Sequence, residues 1–199
     1  KMEKLQPKGH LEIWKVYEDG TEELHFTENN VITSGMGVGL SHLFGGVGAK
    51  TFSDFQILNF SIGSGGDVND YGVSTYALTT PKLPHEYRTE GSELIVENLY
   101  TIGNSTDSPF AEITSASSCL VRIPYSNIQK ITDTSVRFNL TIDANSLVNQ
   151  TINEVGLFMR NPRGSSSHPN PILVAYRPFT ALSKVNTFAL LLKWTFQMG

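Results

Sequence analysis

Apolar and polar residues alternate with a period of two over most of the chain, which is typical of strands that bury one face. The clearest run is Phe188 to Phe196, where every second residue is Phe, Leu or Trp. Runs of this kind predict strands at residues 11–17, 21–26, 55–62, 94–97, 120–123, 136–142, 155–159, 172–176 and 188–196. Between the first two, Asp19-Gly20 supplies the positive φ of a tight hairpin. The pattern predicts a mostly β chain, folded as an antiparallel β-sandwich or barrel.

Residues 33–44 follow a helical period instead. Four apolar side chains share one face of this segment: Met36, Leu40, Leu43 and Phe44. Thr33 or Ser34 would cap the helix. Three glycines lie inside it, and each costs about 1 kcal/mol of helix stability. We therefore expect one short Gly-rich helix that packing against a sheet must hold.

The loops show no boundary between domains. Residues 64–72 form a polar loop rich in Gly, Asp and Asn, and residues 161–171 form a projecting loop rich in Ser and Pro. We find no repeat and no shift in composition, so residues 1–199 are predicted as one β-sandwich domain.

The charge and composition of the chain argue against nucleic acid and membranes as partners. Fifteen Lys and Arg against nineteen Asp and Glu leave a net charge of −4, which gives no general attraction to nucleic acid or to anionic membranes. The longest unbroken apolar stretches, such as Phe188 to Leu192, are far shorter than the ~20 residues that span a bilayer. No apolar block follows the charged start, so no secretory signal is expected. The single cysteine, Cys119, excludes an internal disulfide.

Motifs of catalysis and ligand binding are all incomplete. Gly39 to Leu43 carries half of a GxSxG nucleophile elbow, and His85 to Thr89 begins an HExxH zinc motif without its second histidine. Asp67 to Gly72 resembles the start of a calcium loop but lacks the third ligand and the closing Glu. The glycine segments 35–39 and 63–66 lack a dinucleotide fingerprint and a P-loop lysine. We predict no catalytic residues, no cofactor and no metal ligands.

Single residues with reactive side chains also suggest no site. The five histidines form no metal-like pair: His10, His25, His42, His85 and His168. Cys119 is interpreted as a small buried hydrophobic residue. Four Asn-x-Ser/Thr sequences, which begin at Asn59, Asn104, Asn139 and Asn149, are interpreted as chance matches. Glu154 and Arg177 lie in apolar strands, so we expect either a buried or interface ion pair or two solvent-facing side chains.

The second half of the chain resembles structural proteins of tailed bacteriophage virions. Residues 152–158 read INEVGLF and residues 173–179 read LVAYRPF. Ser183-Lys184-Val185 follows, and then a closing strand that carries Trp194. The first half is similar to the same group, in which a glycine-led hairpin (residues 9–26) precedes an Asn-Val-Ile segment (residues 30–32) and a glycine-bearing helix.

The resemblance implies assembly without catalysis. It implies a structural component of the tail, neck or baseplate region that is not an enzyme and acts through subunit–subunit interfaces. Its partners would be other virion proteins and copies of itself in a homo-oligomer, within a virion assembled in the bacterial host cytoplasm. Edge strands, or the loop at residues 161–171, would form those contacts.

Three other functions remain open on the sequence. One is a capsid decoration or cement protein, which needs the same kind of β module. Another is a carbohydrate-binding β-sandwich used in host adsorption, in which Tyr71, Tyr76 and Tyr87 would stack on sugars. The last is a hydrolase with a carboxylate pair that only the fold brings together.

Overall fold

Two five-stranded antiparallel sheets form the body of the part of the chain that the structure describes. The computed structural model describes residues 7–32, 34–46, 55–63, 121–160, 162 and 172–199. The strands are β1 (Lys8–Tyr17), β2 (Glu22–Asn29), β3 (Val31–Ile32), β4 (Ile57–Gly63), β5 (Val121–Arg122), β6 (Ile128–Thr132), β7 (Ser135–Ile142), β8 (Thr151–Met159), β9 (Ile172–Ser183) and β10 (Phe188–Gln197). Helix α1 (Ser34–Gly45) lies between β3 and β4, and a 3-10 turn (Tyr125–Asn127) precedes β6.

Strand order defines two sheets that face one core. Sheet A has the order β2-β1-β10-β7-β6, and sheet B has the order β3-β9-β8-β4-β5. The inner face of sheet A contributes residues such as Leu11, Leu140, Leu192 and Trp194, all fully buried. Sheet B contributes alternate residues such as Phe60 and Leu157 to the same cluster. The predicted antiparallel β-sandwich is confirmed.

Local predictions at the start of the chain are also confirmed. Gly20 has a φ of +83°, and its N–H donates to Tyr17 O at 3.0 Å, which closes the hairpin between β1 and β2. Helix α1 forms where the helical period predicts it. Packing holds it, since Met36 enters the core and Gly39 lies against Met159, whose Sδ would be 2.5 Å from an added Cβ. No helix in the described ranges is long and apolar enough to cross a membrane.

The largest differences from the prediction are two strands that it lacks and the longer end of β9. Strand β6 was not predicted because its residues 129–132 are all exposed on the edge of sheet A and do not alternate. Strand β3 has only two residues, too few for a period. Strand β9 continues past Tyr176 to Ser183, although Pro178 interrupts the apolar run. Because β3 pairs with Ala175 and Tyr176 alone, β9 is an edge strand at Pro178, where proline is tolerated.

Candidate interaction surface

Three residues that lie far apart in the sequence meet where β1 pairs with β10. The buried Trp194 donates its Nε1–H to Asn30 Oδ1 at 2.8 Å, and the Asn30 backbone N–H donates to Gly9 O at 3.0 Å. A Cβ on Gly9 would lie 2.5 Å from Asn30 Cγ and would overlap its Oδ1. Glycine at position 9 therefore lets the amide reach the indole. All three residues belong to the motifs that carry the resemblance, and here they join the β2–β3 connection to strands β1 and β10.

Arg177 and Glu154 are both buried, but they bind different partners. Arg177 of β9 forms an ion pair with Glu28 of β2, and its Cζ lies 5.3 Å from the centre of the Phe26 ring. Glu154 of β8 accepts a hydrogen bond from Tyr176 Oη at 3.1 Å. The solvent-facing alternative is wrong for both residues. The expectation of buried charge is right for both residues, but the ion pair of Arg177 is with Glu28 in the opposite sheet and not with Glu154.

Lys184 is a third buried charge, which the sequence analysis named only as part of the resemblance and gave no role of its own. Its Nζ donates to Ala144 O at 2.7 Å and to Val185 O at 2.9 Å, and it lies 5.2 Å from the centre of the Phe188 ring. Burial lowers the pKa of Lys184, and the negative charge of Asp143 acts in the opposite direction. The side chain thus ties the turn between β9 and β10 to the loop after β7, and it is closed to ligands.

Two of the three described histidines, His10 and His25, contact other protein groups, and the third, His42, lies in the last turn of α1. The His10 ring nitrogens lie 3.2 Å from Asn29 Oδ1 and 3.0 Å from Thr27 Oγ1, and His25 Nε2 lies 3.0 Å from Thr180 O. In the part of the chain that the structure describes, no group of three or more His, Cys, Asp or Glu side chains could hold a metal ion.

Other residues singled out in the sequence are placed in strands and turns or lie outside the described ranges. Asn59 is buried on β4, Asn139 lies on β7 and Asn149 lies in the loop after it with a φ of +66°. The positions outside the described residues are 64–72, 85–89, 94–97, Tyr76, Asn104, Cys119, His168 and nearly all of the loop 161–171.

A cavity of about 410 Å³ opens at one end of the sandwich, between α1 and the turn that joins β6 to β7. Strands β4 and β7 begin at this end, and β8 and β10 finish there. The apolar part of the wall includes Met36, Leu40, Leu43, Met159, Phe196 and Met198. Three of these are methionines, whose flexible thioether side chains adapt to an incoming group. The cavity is therefore suited to bind an apolar group.

Large apolar side chains stand exposed beside this cavity. Leu43 is 51% exposed and Phe44 is 82% exposed, both in the last turn of α1. The helical period predicts both residues on the face that packs, and the structure corrects this, because both side chains remain largely in water in the last turn of α1. Clustered apolar exposure of this kind marks interaction sites on soluble proteins. We call the cavity with Leu43, Phe44 and Met198 the apolar end.

One cation and one anion lie at the rim of the apolar end. Lys130 Nζ and Asp133 Oδ1 are 2.8 Å apart, at the β6–β7 turn, and both side chains are well exposed. These two are the charged groups among the described residues that line the cavity. The hydroxyls of Thr132, Thr134 and Ser135 complete this side of the wall. The rim is therefore polar with no net charge.

The long edge of sheet A has a different character. Strand β2 carries Glu22, Glu23 and Glu28 on its exposed positions. Charged side chains on an edge strand discourage pairing with another chain. Among the described surfaces, the apolar end is thus a stronger candidate for a protein contact than this edge.

Comparison of the chain with protein-family models, with curated proteins and with solved structures finds no match.

Proposed function

We propose that this protein is a structural component of a tailed-phage virion, in the tail, neck or baseplate region, and works through subunit–subunit interfaces. The observation that carries the proposal is the apolar end, where Leu43 and Phe44 stand exposed beside a large apolar cavity. A surface of this kind costs free energy while it faces water, and burying it against a partner recovers about 25 cal/mol per Å² of apolar area.

The placement of the motif residues supports the same proposal. Gly9, Asn30 and Trp194 are joined by hydrogen bonds inside the sandwich. Arg177 and Lys184 connect separate parts of the frame. These residues stabilise the body of the sandwich and do not line the cavity of the apolar end, which stays available for contacts, as an assembly protein requires.

Gold-labelled antibodies against the purified chain, applied to intact particles of the phage that encodes it, test the proposal. We expect gold on the tail, neck or baseplate, and loss of that label when the antibody is first absorbed with the purified chain. Label confined to the head would favour a capsid decoration or cement protein. Particles whose mass spectrum contains no peptide of this chain would refute a virion role.

A further inference from the structure

We propose that the apolar end is a self-complementary contact, through which two copies of this chain pair about a two-fold axis. The Phe44 ring of each copy would enter the cavity of the other. The inference rests on the proposed function, since it names one of the interfaces through which the protein would assemble.

Phe44 has the position and exposure of an inserting group. It follows Leu43 and lies one helical turn after Leu40, and both of these residues line the cavity, so Phe44 is a close neighbour of the cavity wall. At 82% exposure it is the most exposed of the large apolar side chains in the described ranges. A group so placed is available to a neighbour without any rearrangement of the fold.

The cavity has the size and lining of a receiving site. Its volume is about 410 Å³, whereas an apolar cavity of roughly 150 Å³ already binds benzene. Met36, Met159 and Met198 in its wall can adjust to the shape of a ring. An aromatic side chain from another molecule therefore fits this space.

Charge complementarity points to a second copy as the occupant. A two-fold contact uses the same patch on both molecules, so the patch must carry both the inserting group and the cavity, and both signs of charge. The apolar end meets both conditions, because Phe44 adjoins the cavity and Lys130 adjoins Asp133. Across the axis, Lys130 of each copy would face Asp133 of the other. A rim of zero net charge also avoids repulsion between the copies.

The size of the patch sets the expected strength. A standard protein interface buries about 800 Å² on each partner, and three exposed side chains around a cavity mouth supply less. We expect a weak dimer in solution whose population rises with concentration. Repetition of the contact in a particle would strengthen it, because linked weak contacts add up to a stable assembly.

Sedimentation velocity over a wide range of protein concentration tests the contact, and charge reversal makes the test specific. K130D gives an all-acidic rim and D133K an all-basic rim, so each variant alone should stay monomeric where the wild type forms dimers. An equal mixture of the two variants should form dimers again. F44S should weaken dimerisation at least tenfold. The matched control is L24S, which removes an exposed apolar side chain on β2 and should leave dimerisation unchanged.

The outcomes separate this contact from the proposed function. A wild type that stays monomeric at every concentration, an F44S variant that still forms dimers, or a charge-reversed mixture that stays monomeric would overturn the contact. Gold label on the tail would still support the virion role in those cases. Dimers that depend on Phe44, with no chain detected in particles, would support the contact and refute the virion role. Urea unfolding of each variant confirms that the exposed substitutions leave the fold intact.

Discussion

The contact between Gly9, Asn30 and Trp194 predicts that one added methyl group at position 9 destabilises the whole sandwich. In the G9A variant, the new Cβ would overlap Asn30 Oδ1 and lie 2.5 Å from Asn30 Cγ. In the wild type, the buried indole N–H of Trp194 donates to Asn30 Oδ1 at 2.8 Å. In G9A the Asn30 side chain must move away, so the indole N–H loses this acceptor. The substitution thus acts through a steric clash at position 9, and the stability is lost because the hydrogen bond of Trp194 breaks.

The magnitude follows from two opposed terms. A buried donor that is left unsatisfied costs about 1–3 kcal/mol. Alanine in place of glycine inside a strand otherwise gains about 0.5–1 kcal/mol, because glycine loses more backbone entropy on folding. The difference between these terms spans about 0–2.5 kcal/mol, and we expect G9A to lower the free energy of unfolding by about 1–2 kcal/mol, near the middle of that span. In an N30A background the amide is absent and the bond already lost, so the same substitution should be neutral or gain up to about 1 kcal/mol.

Urea unfolding of the wild type, G9A, N30A and the double variant measures this cycle, with an unchanged m-value as the check that the unfolded state is the same. The control is G37A, at an exposed helical position where an added Cβ meets nothing within 4 Å. It should raise stability by about 1 kcal/mol. If G9A costs as much in the N30A background as in the wild type, the cause is not displacement of the Asn30 amide.

Three further predictions concern the buried charges. E28Q removes the anion that faces Arg177. Because Glu28 is half exposed, we expect the free energy of unfolding to fall by about 1 kcal/mol, and by less in 1 M salt. A fall that is independent of salt in urea unfolding would argue against a charge effect. Y176F removes a donor to the buried Glu154 and should cost about 1–2 kcal/mol in urea unfolding, whereas an unchanged midpoint would show that the bond contributes little. Lys184 binds its proton less tightly in the folded chain than in the unfolded one, so its contribution makes the free energy of unfolding rise as the pH approaches the ordinary value of 10.5. K184M should flatten that rise, and an identical pH profile for wild type and variant would contradict the burial of the ammonium group.

Much of the fold could be predicted from local patterns. The period-two run at residues 188–196 became β10, the Asp19-Gly20 pair became the first hairpin, and the helical period near residues 33–44 became α1. Each of these signals is local, because side-chain alternation and turn conformation are properties of neighbouring residues. Strand β6 could not be predicted, because residues 129–132 are all exposed at the edge of the sheet and therefore do not alternate between apolar and polar.

The surface that we propose for assembly could be predicted only in part. The pattern identified Leu43 and Phe44 as members of one helical face, but it could not show that both side chains remain largely in water. The cavity is enclosed by strands from both sheets together with α1, so it has no signature in any single segment. Its rim charges come from a turn that the sequence analysis did not single out.

The sequence alone determined where most strands, the first turn and the helix lie, because each of these depends on the chemistry of adjacent residues. The tertiary structure alone decided that Trp194 meets Asn30, that Arg177 pairs with Glu28 in the opposite sheet, and which apolar side chains remain in water. Alternation shows that one face of a strand is buried, but it does not show what is packed against that face. Partners more than a hundred residues apart are chosen by the order and register of the strands, which arise when all of them share one core.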